Sequence, residues 1–303
     1  MYNEEQKLRF LDTVESASSR KAITNAFNRF EEFEIDSGID IAAWGDDKIY
    51  NAISTLCVID YGTIKQYISF INAYREFLSL APTFLDASRV DLTSAIRKTI
   101  IPSPVALKME LSKIRELDQG HYGVAAACFA WLGIDMETMP LIKDSAVNFE
   151  RRTIFDQECD IEIDDIDTTI ISLLKEYWET EEAIRWHNTA CKVYAIQNGR
   201  FLHIFAGSNS KKQPRPISYD GIRQTFRTLA QDAKKDEKTP SIFTYSNLVK
   251  SGTLYNLYCL EQQGTDIANR KSEELMKKAY STPGKDYDIR ALYRQYKKAF
   301  DLD

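Results

Sequence analysis

The sequence predicts a mainly α-helical chain in two parts: a helical N-terminal domain over residues 1–101, then an α+β domain over 102–303 with a small antiparallel sheet. Three observations make that prediction. In the first hundred positions, apolar residues recur at helical spacing in four successive stretches. Pro102, Ser103 and Pro104 then impose an extended segment, a natural boundary. Beyond it, β-rich runs lie between helical stretches, and one of them surrounds Asn198-Gly199, a strong hairpin signal.

Leu8, Leu11 and Val14 mark a first helix over 4–17, and Ile23, Phe27, Phe30 and Phe33 a second over 19–35. Ile49, Ile53 and Leu56 mark a third within 40–57. The fourth, TIKQYISFINAYREFL within 63–79, is the clearest. Ile64, Tyr67, Ile68, Ile71, Tyr74, Phe77 and Leu78 form one stripe, with Lys65, Gln66, Ser69 and Asn72 on the polar side. Thr63 and Gln66 have capping-box spacing, which predicts a start at Thr63. None of these short helices can bury its stripe alone, so they must pack together. A helix at about 90–100 leads to the boundary.

The second domain opens with helices at about 104–117 and 121–133, the latter nearly all apolar (VAAACFAWL) and so a core helix. Residues 152–163 alternate imperfectly and read as β, a helix follows at 166–178, and KVYAIQNGRFLHIF reads as a hairpin. Helices return at about 218–234, 245–263, 266–279 and 286–299.

Composition excludes several classes. With 44% hydrophobic and 28% charged residues, the chain can pack a core and is not disordered as a whole. The longest uncharged run, 119–134, falls short of the roughly 20 residues a membrane span needs. MYNEEQKLRF has no apolar core, so no secretory signal is expected. Cys57, Cys128, Cys159, Cys191 and Cys259 are widely spaced with no C-x-x-C, which reads as reduced thiols of a soluble intracellular protein. Net charge is −6, yet its distribution is uneven. Residues 1–100 carry 11 basic and 15 acidic side chains, 101–200 carry 10 and 18, and 201–303 carry 18 and 12. The basic last third permits an anionic partner on one face.

Much chemistry is missing. The three histidines, His121, His187 and His203, have no metal-site spacing. No glycine-rich phosphate loop and no G-x-S-x-G occur, so the sequence calls for no cofactor. The acidic cluster Asp160, Glu162, Asp164, Asp165 and Asp167 lacks the glycine and spacing of a calcium loop and reads as a solvated cap for the helix at 166. No metal is expected.

The order of parts resembles the tyrosine recombinases, or phage integrases. The four-helix module ending in TIKQYISFINAYREFL is similar to their core-binding domain. FAWLGIDMETMPLIKDSAVNFERRTI resembles the segment that carries their first catalytic arginine, and QPRPISYDGIRQTFRTLAQDA the helix that follows the sheet. FTYSNLVKSGTLYNLYCLEQQGTD stands where the family has its H-x-L-R-H helix. The likeness spreads over nearly the whole chain. It implies a core-binding-like domain followed by a catalytic-domain-like one, a tyrosine-recombinase-like fold.

The departures bear on function. Such enzymes need two arginines on the scissile phosphate, a histidine or lysine acid–base and a tyrosine nucleophile. Asp135 stands at the first arginine's place, and a carboxylate there repels phosphate. No Arg occurs between Arg227 and Arg270, and no His after His203. Tyr287 is the remnant of the nucleophile that the resemblance suggests, and without the clamp it is inert. The expectation is a recombinase-like fold without strand transfer, and not an enzyme.

An integrase fold without its catalytic residues resembles the lysogeny-maintenance repressors of SPβ-type Bacillus phages. The resemblance implies a repressor in the host bacterial cytoplasm that binds specific operator elements in duplex DNA and keeps a prophage silent. No membrane partner is implied, and the residues identify neither an inducer nor a protein antirepressor. Expected phosphate contacts are Arg20, Lys21 and Lys65 in the first domain, with Lys108, Lys113, Arg115, Lys211, Lys212, Arg215, Arg223, Arg227 and Lys250 in the second. Gln66, Ser69 and Asn72 are the expected base readers, since Asn and Gln pair bidentately with adenine. Basic residues lining the inner surface of a two-domain clamp would reconcile such binding with an acidic total. Two other readings stay open: a diverged active recombinase, and a helical interaction protein that has lost DNA.

Overall fold

The computed structural model describes residues 1–115, 123–185, 191–206, 217–233, 241–268 and 286–302. The chain forms two compact units, Met1–Lys98 with Tyr287–Asp303, and Thr99–Asp286. It is mainly helical, as the sequence predicts. The described strands form two three-stranded antiparallel sheets rather than one.

The first unit holds α1 (Glu4–Asp12), α2 (Ala17–Ser37), α3 (Asp46–Thr55), α4 (Tyr61–Phe77) and α5 (Thr93–Thr99, all but its last residue). Ser16 ends the predicted first helix early, because its hydroxyl accepts the Ser19 amide and caps α2. Gly38, at φ 63°, closes α2 in the left-handed conformation. The predicted 40–57 helix divides into a 3-10 turn over Ile41–Ala43 and α3, the break falling at Trp44-Gly45. For α4 the predicted start is corrected. Asp60, not Thr63, is the cap: its Oδ1 accepts the Thr63 amide at 2.9 Å, and the helix begins at Tyr61.

Aromatic rings fill this unit's core. Phe27 lies 6.1 Å from Phe10 and 5.2 Å from Tyr74, and Phe30 lies 5.5 Å from Tyr67, all with inclined planes. Inside it, Lys7 and Glu34 form an ion pair from which solvent is excluded. A late element completes the unit. Helix α11 (Asp286–Phe300) buries Leu292, Tyr293, Tyr296 and Ala299, a helical stripe. Arg97 donates to the Ala299 carbonyl, Gln295 to the Val90 carbonyl, and Lys298 pairs with Asp91 at 3.4 Å. The last helix therefore packs with the N-terminal segment, whereas the sequence places it in the 102–303 domain.

The second unit is built on α7 (Gly123–Trp131), whose residues are buried except Val124. It packs against α8 (Thr168–Trp178), α9 (Tyr219–Asp232) and α10 (Tyr245–Gln262), and α6 (Pro104–Arg115) packs on α8. Gly252 lets α10 approach: a Cβ there would sit 1.8 Å from the Trp131 carbonyl oxygen. One sheet has the order β1 (Val147–Asn148), β2 (Thr153–Asp156), β3 (Ile161–Ile163), with Val147 opposite Ile154 and Phe155 opposite Glu162. The other has β4 (Glu182–Arg185), β5 (Cys191–Ile196) and β6 (Ile204–Ala206).

The β5–β6 pair realises the predicted hairpin, with Gly199 at φ 76°. The connection is wider than an Asn-Gly turn requires. Phe201 is drawn into the core against Phe129 at 5.3 Å and Trp178 at 5.4 Å, so the second strand starts only at Ile204. Strand β4 carries no strong signal in the sequence. Of the predicted helix 266–279, residues 269–279 lie outside the described residues. No described helix is long and apolar enough to cross a membrane.

Candidate nucleic-acid interface

Helix α4 turns Ile64, Tyr67, Ile68, Ile71 and Tyr74 inward, which leaves Lys65, Gln66 and Ser69 exposed in its first turns. Asn72 is half-buried, and its amide is engaged on both its oxygen and its nitrogen. Its Oδ1 accepts from the Thr83 amide at 2.8 Å and the Thr83 hydroxyl at 2.9 Å, while its Nδ2 donates to the Thr83 carbonyl at 3.0 Å. The outward polar row of α4 that was expected to read bases is thus Gln66 and Ser69, and Asn72 holds a loop.

Arg20 and Lys21 are exposed at the start of α2, Arg20 donating to the Val14 carbonyl at 2.9 Å. Arg29, further along α2, was not singled out by sequence reasoning. Its guanidinium donates to the Tyr67 hydroxyl at 2.6 Å, which brings an α2 cation against α4. No local signal marks this contact, which depends on how α2 packs against α4.

In the second unit, Lys108 and Lys113 are exposed on α6, and Lys113 pairs with Glu110 at 2.7 Å. Arg115 ends α6, with its side chain outside the described residues. Arg223 and Arg227 project one turn apart from α9, opposite its buried Ile222, Phe226 and Leu229. Arg223 lies over the Tyr219 ring at 5.8 Å and 3.6 Å from Asp220. Lys250 is half-buried on α10. Lys211, Lys212 and Arg215 lie outside the described residues.

Asp135 follows α7, and Tyr245 at the start of α10 donates to its Oδ1 at 3.3 Å. Burial, reinforced by that carboxylate, raises the Tyr245 pKa, so the phenol stays a proton donor. A carboxylate bonded to a phenol presents no positive charge to a phosphodiester. Tyr287 lies in the first turn of α11, in the segment grouped with the first unit, and its side chain is outside the described residues.

The acidic cluster does what its local sequence suggests. Asp167 caps α8 by accepting the Thr169 amide at 2.7 Å. Glu162, Asp164, Asp165 and Asp167 also line a cavity of about 550 Å³, together with Arg152, Tyr255 and Cys259. Four carboxylates make it unsuited to a phosphate.

The decisive observation for the first unit is a likeness in sequence. Residues 1–79 match the family model described as the MrpR N-terminal core-binding domain. The match spans α1 through α4 and ends before the loop held by Asn72. The N-terminal part of the chain is therefore similar to the MrpR N-terminal core-binding domain. No curated protein matches the chain.

Proposed function

We propose that the protein is a non-catalytic, sequence-specific binder of duplex DNA, a repressor of the kind that maintains prophage lysogeny. One observation carries this reading: the MrpR-type core-binding domain presents Lys65, Gln66 and Ser69 outward from α4. Cations on α2 and α9 supply phosphate contacts, which position the protein without reading sequence. Gln66 and Ser69 read base edges. Asp135 at the place of the first arginine, and the lack of any arginine between Arg227 and Arg270, support a role without strand transfer.

The test is recovery of bound fragments from the source genome by immunoprecipitation, then gel shift at two salt concentrations. A specific complex that weakens steeply with salt is expected. Gln66→Ala is expected to cost about 1–3 kcal/mol on the best fragment and little on unrelated DNA. Arg227→Ala is expected to weaken both alike and to lower the salt slope by about one. Failure to shift any fragment sinks the proposal, and a covalent adduct on a nicked substrate would replace it with an active recombinase.

A further inference from the structure

Phe84 breaks the usual rule of burial. Its ring is 92% exposed, while the small polar Thr83 beside it is 8% exposed. Single exposed apolar residues are ordinary on a protein surface, but none of the other exposed large hydrophobics among the described residues approaches this exposure, and the segment that carries Phe84 is otherwise fixed. This segment is fixed on both sides. On one, the Asn72 amide of α4 makes its three bonds to Thr83. On the other, the Asp86 amide donates to the Tyr50 hydroxyl of α3 at 2.9 Å, and Ala87 and Val90 are buried. Upstream, Arg75 Nε donates to the Ala81 carbonyl at 2.7 Å.

The surroundings are polar and partly cationic. The Asp86 carboxyl is held below its ordinary value first by the Ser88 amide it accepts from, and then by the Arg89 and Lys65 charges. The Asn72–Thr83 bonds hold this loop on α4, the helix that carries Lys65, and Arg89 follows the loop in the chain. Lys65, Gln66 and Ser69 are exposed on α4, and Arg89 is exposed beyond the loop. A protruding aromatic ring on an anchored loop, beside cations and amide or hydroxyl donors, has the chemistry of a wedge for base pairs.

Resting on the DNA-binding reading above, we infer that Phe84 is an apolar wedge that inserts at a base step of the bound duplex next to the groove occupied by α4. The anchors at Thr83 and Asp86 hold the ring ready, so little ordering entropy is lost on binding. Lys65 and Arg89, both exposed, are the cations available to the flanking phosphates. The wedge lies just beyond the residues that match the core-binding family model.

The experiment uses the full chain and its recovered fragment, with 2-aminopurine placed at successive steps to report unstacking. The parent is expected to enhance fluorescence at one step. Phe84→Ala is expected to bind about tenfold more weakly, to lose that signal and to keep the salt slope, because no phosphate contact is removed. Phe84→Leu, which keeps an apolar wedge, is expected to restore most of the signal. Thermal unfolding of both variants should match the parent, since the ring packs on nothing it could leave empty. A Phe84→Ala protein that binds and unstacks like the parent overturns the inference, as does a loss of affinity with unstacking unchanged. A parent that shifts no fragment overturns the DNA reading and the wedge together.

Discussion

Gly252→Ala is expected to destabilise the second unit by roughly 4 kcal/mol or more, beyond the range of ordinary core overpacking. The residue lies within α10, where alanine would normally gain about 1 kcal/mol of helix propensity over glycine. The added Cβ would meet the Trp131 carbonyl oxygen at 1.8 Å and the carbonyl carbon at 2.7 Å. Those are backbone atoms at the end of a buried helix, and no rotamer change can move them. Helices α7 and α10 must separate, and the core around Phe129 and Leu248 opens with them. Gly264→Ala serves as the contrast. Its φ is 87° and nothing lies within 4 Å, so only backbone strain of about 1–2 kcal/mol is expected. Urea unfolding of the two variants separates steric from conformational demand. Equal, small losses would show that α10 does not seat against α7 at this glycine.

The elements that were legible in the sequence are those whose signal is local. Helix α4 shows its stripe in one stretch of 17 residues, and α7 announces itself by having no polar face. The Asn198-Gly199 turn is equally local. Long-range features were not legible. The period of α11 reveals a helix, but nothing in 286–300 says that it packs with the N-terminal segment. Asn72 has the right position for a base reader, and only the fold of the 79–86 loop shows that its amide is engaged. Phe84 looks like any core aromatic until Thr83 takes the buried place instead. For the candidate interface, residue type picks out the cations as a class. Their neighbours, such as Glu110 beside Lys113 and Tyr67 beside Arg29, depend on tertiary packing.

The second large effect concerns two charges that look like surface residues. Lys7 Nζ donates to both carboxylate oxygens of Glu34, at 2.7 and 2.5 Å, and neither side chain retains solvent exposure. The Ile41 amide donates to the same carboxylate at 2.8 Å, and the ammonium lies 4.9 Å from the centre of the Phe27 ring. Removing either partner strands the other charge in a low-dielectric core. Lys7→Met alone is expected to cost about 3–5 kcal/mol, and Glu34→Gln less, because burial already disfavours the charge it removes. The double variant is expected to cost far less than the two losses together, because no charge is left behind and the introduced side-chain amide can still accept the Ile41 N–H through its carbonyl. Stability against pH provides a second check. Burial raises the Glu34 carboxyl above its ordinary value, and the Lys7 and Ile41 bonds offset that only in part. A carboxyl raised in the folded state contributes stability that is complete below its unfolded pKa and is lost as pH climbs through the raised one. Asp156 in the second unit runs the other way. Burial opposes its charge, but the amides of Lys143, Cys159 and Glu158 outweigh burial and hold it low, so its contribution fades in acid. Asp86 and Asp91 of the first unit, both held low, slope the other way, so the Glu34 contribution is read as the difference in urea midpoint between the parent and Glu34→Gln, which should shrink as pH rises from the ordinary carboxyl range. Single variants within about 1 kcal/mol of the parent would mean that the pair is hydrated and that the aromatic core alone sets this unit's stability.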